Sequence, residues 1–119
     1  LMVRPGLVRD RSGPRLVGQP ASPGRVSGPA RVLTSLEDFG KLDRGEVLVS
    51  VATNPAWTPL LPLASAVVTE VGGGASHSLL VARELGIPCV INTVDGTRRL
   101  RSGDQLRIDG SSGRVEVLS

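Results

Sequence analysis

Between residues 66 and 91 the chain runs from apolar, β-branched residues into three consecutive glycines, then into a helical pattern with a definite stop. Ala66–Val71 reads as a buried strand and Gly72-Gly73-Gly74 as a loop. Ser76–Leu85 is the strongest helix in the chain, ended by Gly86 with Pro88 two residues on. Pro88–Ile91 then reads as a further strand. That succession calls for a mixed α/β domain, and the flanking sequence agrees. Arg25–Leu33 and Glu46–Val51 carry strand patterns, while Leu36–Leu42 reads as a short helix with Ser35 as its N-cap. Trp57–Ala64 reads as a short helix interrupted by prolines. Gln105–Asp109 and Arg114–Leu118 alternate apolar and polar residues about the turn Gly110–Gly113, a hairpin pattern. Gly18–Gly24 reads as turn-rich chain, and residues 1–14 as a linker before a domain spanning 15–119.

Adjacent glycines open backbone conformations closed to other residues and bring main-chain N–H groups close to a ligand. A helix that begins at about Ser76 turns its unpaired N–H groups and positive dipole end toward that loop, which favours anions and phosphate above all. His77, the single histidine of the sequence, stands at that terminus. A covalent phosphoryl group on His77, held by Gly72, Gly73, Gly74 and Ser76, is the chemistry this arrangement suits. Plainer readings stand beside it: His77 as a surface or capping residue, and the glycines as a loop and nothing more.

Other chemistries fit worse. No Gly-Lys-Ser/Thr follows the glycines, and the GxGxxG spacing is absent. One histidine and one cysteine, twelve residues apart, do not complete a metal shell. Ser76 and Ser78 adjoin His77 on one helix, where neighbours in sequence do not face each other, and no GxSxG elbow is present for a hydrolase.

The net charge of +3 invites a nucleic-acid reading until the charge is located. Residues 1–31 hold six arginines against Asp10 alone, whereas residues 32–119 hold eight basic and ten acidic side chains. The basicity therefore belongs to the leading segment. Phe39 and Trp57 are the only aromatics, too few for a base-stacking surface. No apolar stretch of about 18 residues suggests a membrane span. The lone Cys89 forms no internal disulfide, which fits a reducing, cytoplasmic setting.

The run Val68-Thr69-Glu70-Val71-Gly72-Gly73-Gly74-Ala75-Ser76-His77-Ser78-Leu79-Leu80-Val81-Ala82-Arg83-Glu84-Leu85-Gly86-Ile87-Pro88 resembles the phosphohistidine signature of the phosphoenolpyruvate-utilising enzymes. That family includes phosphoenolpyruvate synthase, pyruvate phosphate dikinase and the rifampicin phosphotransferases. Ala21-Ser22-Pro23-Gly24 through Gly28, Asn54-Pro55-Ala56-Trp57-Thr58-Pro59-Leu60, and Asp95–Asp109 with the final hairpin extend the likeness over residues 15–119.

The resemblance implies a swivelling, mobile domain of β/β/α architecture. It implies a relay in which an ATP-grasp domain, using ATP and Mg, phosphorylates His77, and a second domain supplies the acceptor. Both partners would act in cis or in trans, since this chain has no nucleotide motif and a single lysine, Lys41. Thr69, Glu70 and Arg83 enter as members of the matching motif. A solvated or sheet-pairing charge is an equal reading of Arg83. Ala75 stands where several relatives have a regulatory Thr, so such regulation is not expected. Asn92 replaces a common glycine and tolerates the same left-handed turn. A non-catalytic regulatory or interaction module that kept the fold is the rival reading.

Overall fold

The computed structural model describes residues 15–72 and 76–118. Among these residues eight strands form one mixed sheet: β1 (Arg15–Val17), β2 (Gln19–Ser22), β3 (Arg25–Val32), β4 (Val47–Ser50), β5 (Ala66–Thr69), β6 (Cys89–Ile91), β7 (Gln105–Asp109) and β8 (Arg114–Val117). Among the described residues two α-helices accompany them, α1 (His77–Leu85) and α2 (Gly96–Arg99).

The strand order is β1-β8-β7-β3-β4-β5-β6-β2. The long β3 serves two neighbours in turn. Its first half pairs antiparallel with β7, Arg25 opposite Asp109, and its second half pairs parallel with β4, Ala30 opposite Val47. β4, β5 and β6 continue in parallel, and their valine-rich runs are buried on both faces, as parallel strands usually are.

Alternation along these strands divides the apolar residues into two cores. Val47, Val49, Ala66, Val68 and Val90 point inward, against Leu106 and Ile108 of β7 and Val115 and Val117 of β8. Leu48, Val67, Cys89 and Ile91 point to the other face and pack with Trp57, Leu61 and the Leu79 and Ala82 of α1. The result is a hairpin-side layer, a parallel-strand layer and a helix, the β/β/α architecture expected from the resemblance.

The two ends of the strand order, β1 and β2, are separated in sequence by Gly18 alone. The sheet therefore curls until its ends meet. The β7–β8 turn lies across that seam, with the Gly18 N–H donating to the Gly113 carbonyl at 2.8 Å and the Gly110 N–H to the Gly24 carbonyl at 2.8 Å. A Cβ built on Gly110 would stand 1.8 Å from the Ser22 carbonyl oxygen, so no side chain fits there.

Several sequence expectations are met: the 105–109/114–117 hairpin, the strands at 25–32, 47–50, 66–69 and 89–91, and the left-handed Asn92 at φ 60°. Others are corrected. The turn-rich 18–24 stretch contains β2, which pairs with β6 at the end of the order and breaks register between Pro20 and Ser22. An edge position tolerates a proline because its missing N–H has no ladder to join. Leu36–Lys41 is a 3-10 turn and not an α-helix, in keeping with the cost of Gly40 in a helix interior. The 57–64 segment resolves into two 3-10 turns, Pro55–Trp57 and Leu61–Leu63. Helix α2 was not anticipated. The linker assigned to residues 1–14 lies outside the described residues.

Candidate active site

Ser76 caps α1 in an extended conformation, its hydroxyl accepting from the Leu79 N–H at 3.4 Å. His77 is therefore the first helical residue. At the other end Gly86 takes the left-handed conformation, φ 72°, and its N–H returns to the carbonyls of Ala82 and Arg83. Leu79 and Ala82 bury one side of the helix in the core, which fixes the direction in which its first residue projects.

Both ring nitrogens of His77 have hydroxyl partners. Thr53 Oγ1 lies 2.7 Å from Nδ1 and also 2.6 Å from Ser78 Oγ, on a side chain that is 3% exposed. Thr58 Oγ1 lies 3.0 Å from Nε2, on the exposed side of the ring. Nδ1 thus faces a half-buried hydroxyl pair, and Nε2 faces outward. Neither threonine was a candidate on sequence grounds. The signal that held Thr58 was the Asn54-Pro55-Ala56-Trp57-Thr58 segment, whose local roles are now visible. Asn54 Oδ1 accepts from the Ala56 N–H at 2.9 Å, Pro55 opens the turn, and Trp57 anchors it in the core.

The remaining motif residues serve the frame around His77. Thr69, fully buried, donates through Oγ1 to the Val71 carbonyl at 2.7 Å and accepts at its own carbonyl from Thr93 Oγ1 at 2.8 Å. Glu70 accepts from the Thr97 N–H at 2.8 Å and from the Thr97 hydroxyl, so its carboxylate holds the start of α2. Arg83 donates from Nε to the Ala21 carbonyl at 2.8 Å, tying α1 to β2. Gly72 approaches the core closely: a Cβ there would lie 3.1 Å from the Ile91 Cβ. Gly73 and Gly74, expected from the sequence to help hold a phosphoryl group, lie with Ala75 outside the described residues.

Burial raises the Cys89 thiol to about 12, against a smaller opposing pull from Arg83, so it stays protonated and is no rival nucleophile. Among the described residues, no group of three or more His, Cys, Asp or Glu side chains is placed to hold a metal ion. Among those residues, too, no helix is long and apolar enough to cross a membrane.

Residues 42–113 match the family model described as the PEP-utilising enzyme, mobile domain. The phosphoenolpyruvate synthase of Aeropyrum pernix is 46% identical over 99 residues, covering 82% of this chain and 12% of that protein. The rifampicin phosphotransferase of Streptomyces sviceus is 41% identical over 104 residues, covering 87% of this chain and 12% of its own length. The chain therefore spans about an eighth of these relatives. The solution structure of Enzyme I superposes with a TM-score of 0.60 at 29% identity, over 68% of this chain and 34% of that one. This chain belongs to the mobile-domain family of the PEP-utilising enzymes.

Proposed function

We propose that, as a mobile domain of the PEP-utilising enzymes, this chain accepts a phosphoryl group on Nε2 of His77 and relays it between two other domains of a phosphotransferase. The observation that carries the reading is the asymmetry of the imidazole. Nδ1 is turned toward Thr53 and the buried Ser78, while Nε2 is turned outward at the head of α1. A donor approaching from solvent reaches the ring on its Nε2 side, where the exposed Thr58 hydroxyl is the partner it must displace. The arriving negative charge sits at the positive end of a nine-residue helix, where free N–H groups favour it. The donor would be an ATP-grasp domain using ATP and Mg, and the acceptor a separate domain, in cis or in trans. A cytoplasmic setting is part of the same proposal, since that is where such a donor would be supplied with ATP.

The remaining residues of the site assist. Ser76 sets the start of the helix and Gly72 lets the chain pass against Ile91; Gly73 and Gly74 are assigned to the phosphoryl oxygens on their sequence alone. Thr69, Glu70 and Arg83 hold the surrounding segments in place.

The test is incubation of the full-length protein with ATP, followed by mass spectrometry under neutral conditions. A phosphoramidate on His77, labile to acid and stable to base, is expected. His77→Ala and His77→Asn should both lose the label, since neither offers a nucleophilic ring nitrogen, and both should keep the fold. Phosphate found only on serine, or a label that survives in His77→Ala, would falsify the relay.

A further inference from the structure

Thr58 occupies the very direction from which a phosphoryl group must reach His77. Its hydroxyl oxygen lies 3.0 Å from Nε2. A phosphorus bonded to that nitrogen takes the place the hydroxyl now holds, so the hydroxyl must turn aside as the bond forms. Its position is not incidental. Thr58 follows directly on Trp57, which is 6% exposed and belongs to the same core cluster as Leu79 and Ala82 of the helix bearing His77. Its own N–H donates to the Pro55 carbonyl at 3.2 Å, closing the turn that Asn54 caps. One packed unit therefore sets both the imidazole and the hydroxyl beside it.

We propose that Thr58 is a positioning residue for phosphoryl transfer: its hydroxyl pins the exposed nitrogen of His77 before the reaction and turns to a phosphoryl oxygen as the group arrives. The inference rests on the relay through His77. Attack through Nε2 requires the ring's single proton on Nδ1, where Thr53 Oγ1, 2.7 Å away, is placed to accept it and is then left to donate to Ser78 Oγ at 2.6 Å. The Nε2 lone pair forms the N–P bond. The anhydride P–O bond of the nucleoside triphosphate breaks, and its electron pair leaves with the departing phosphate oxygen. Thr58 gives up no proton; its O–H exchanges one acceptor, Nε2, for another, a phosphoryl oxygen. A hydroxyl near the head of α1 that can move by a side-chain rotation suits both states, and a methyl group suits neither.

Thr58→Val keeps shape and volume and removes only the donor. In the full-length protein it should lower the rate constant for ATP-dependent labelling of His77 by about ten-fold, the scale of one hydrogen bond to a charged group. The ATP concentration for half-saturation should not change, because the nucleotide sits on another domain. Thr58→Ser should recover the rate to within about three-fold, since it restores the hydroxyl. A matching denaturation midpoint for all three proteins excludes a folding effect. Wild-type labelling with an equally fast Thr58→Val would overturn this inference and leave the relay standing. A rate loss in Thr58→Val that Thr58→Ser shares in full would also overturn it. Absence of label from His77 in the wild type would overturn the relay itself, and this inference with it.

Discussion

The seam where the sheet closes and the end that carries His77 are both built from close contacts, of opposite kinds. At the seam, backbone meets backbone: Gly110 lies against the Ser22 carbonyl, and Gly113, at φ 79°, lies against the Gly18 carbonyl. Nothing there can change without moving main chain. At the His77 end the close contacts are hydroxyl to ring nitrogen, on side chains of intermediate or high exposure. Those partners can be replaced by shapes of equal volume with the backbone left in place. One region sustains the fold and the other, on the proposed function, carries the chemistry, and substitutions should separate them.

The largest effect is expected at the seam. Gly110→Ala would put a Cβ 1.8 Å from the Ser22 oxygen, which main chain must yield to relieve. A loss of about 3 kcal/mol, the upper end of the overpacking range, should appear in the urea midpoint. A variant as stable as the parent would break the comparison at its foundation.

Gly72 sharpens it, because this glycine belongs to the site by sequence and to the core by contact. Gly72→Val should cost about 2 kcal/mol through collision with Ile91, whose Cβ would be 3.1 Å away. Denaturation and His77 labelling, measured together, should then fall together. Gly73→Val, one residue on, is expected to damage labelling more than stability, because a β-branched residue holds phosphate off the main-chain N–H groups. Equal stability losses at the two positions would remove the distinction.

The smallest effect on stability belongs to Thr53→Val. It strands Ser78 Oγ beside an apolar methyl and removes the Nδ1 partner, for about 1 kcal/mol of stability. Labelling of His77 should nonetheless drop by about ten-fold or more, since the attacking tautomer loses its acceptor. If stability falls as far as in Gly110→Ala, Thr53 belongs to the frame and not to the chemistry.

These contrasts match what was legible beforehand. His77, its helix and the capping Ser76 were readable because helix ends are written in residues a few positions apart: an N-cap, a C-terminal glycine, a following proline. The same locality made the hairpin about Gly110–Gly113 and the left-handed Asn92 readable. Glu70 and Arg83 were recognised as motif members, but not their tasks. Glu70 holds Thr97, 27 residues away, and Arg83 holds Ala21, 62 residues away.

By itself, then, the sequence determined the strand–loop–helix–strand unit, the place of His77 at its turning point and the mixed α/β class, because short-range periodicity and capping settle such features. Only the tertiary structure decided that Gln19–Ser22 becomes a strand, that the sheet closes on a pair of glycines, and that Thr53 and Thr58 meet the two nitrogens of one imidazole. Those threonines lie 24 and 19 residues from His77. No local preference spans such a distance. Their meeting follows from the packing of Trp57 with Leu79 and Ala82 and from the register that joins β4 to β5, energies that exist only once the core is assembled.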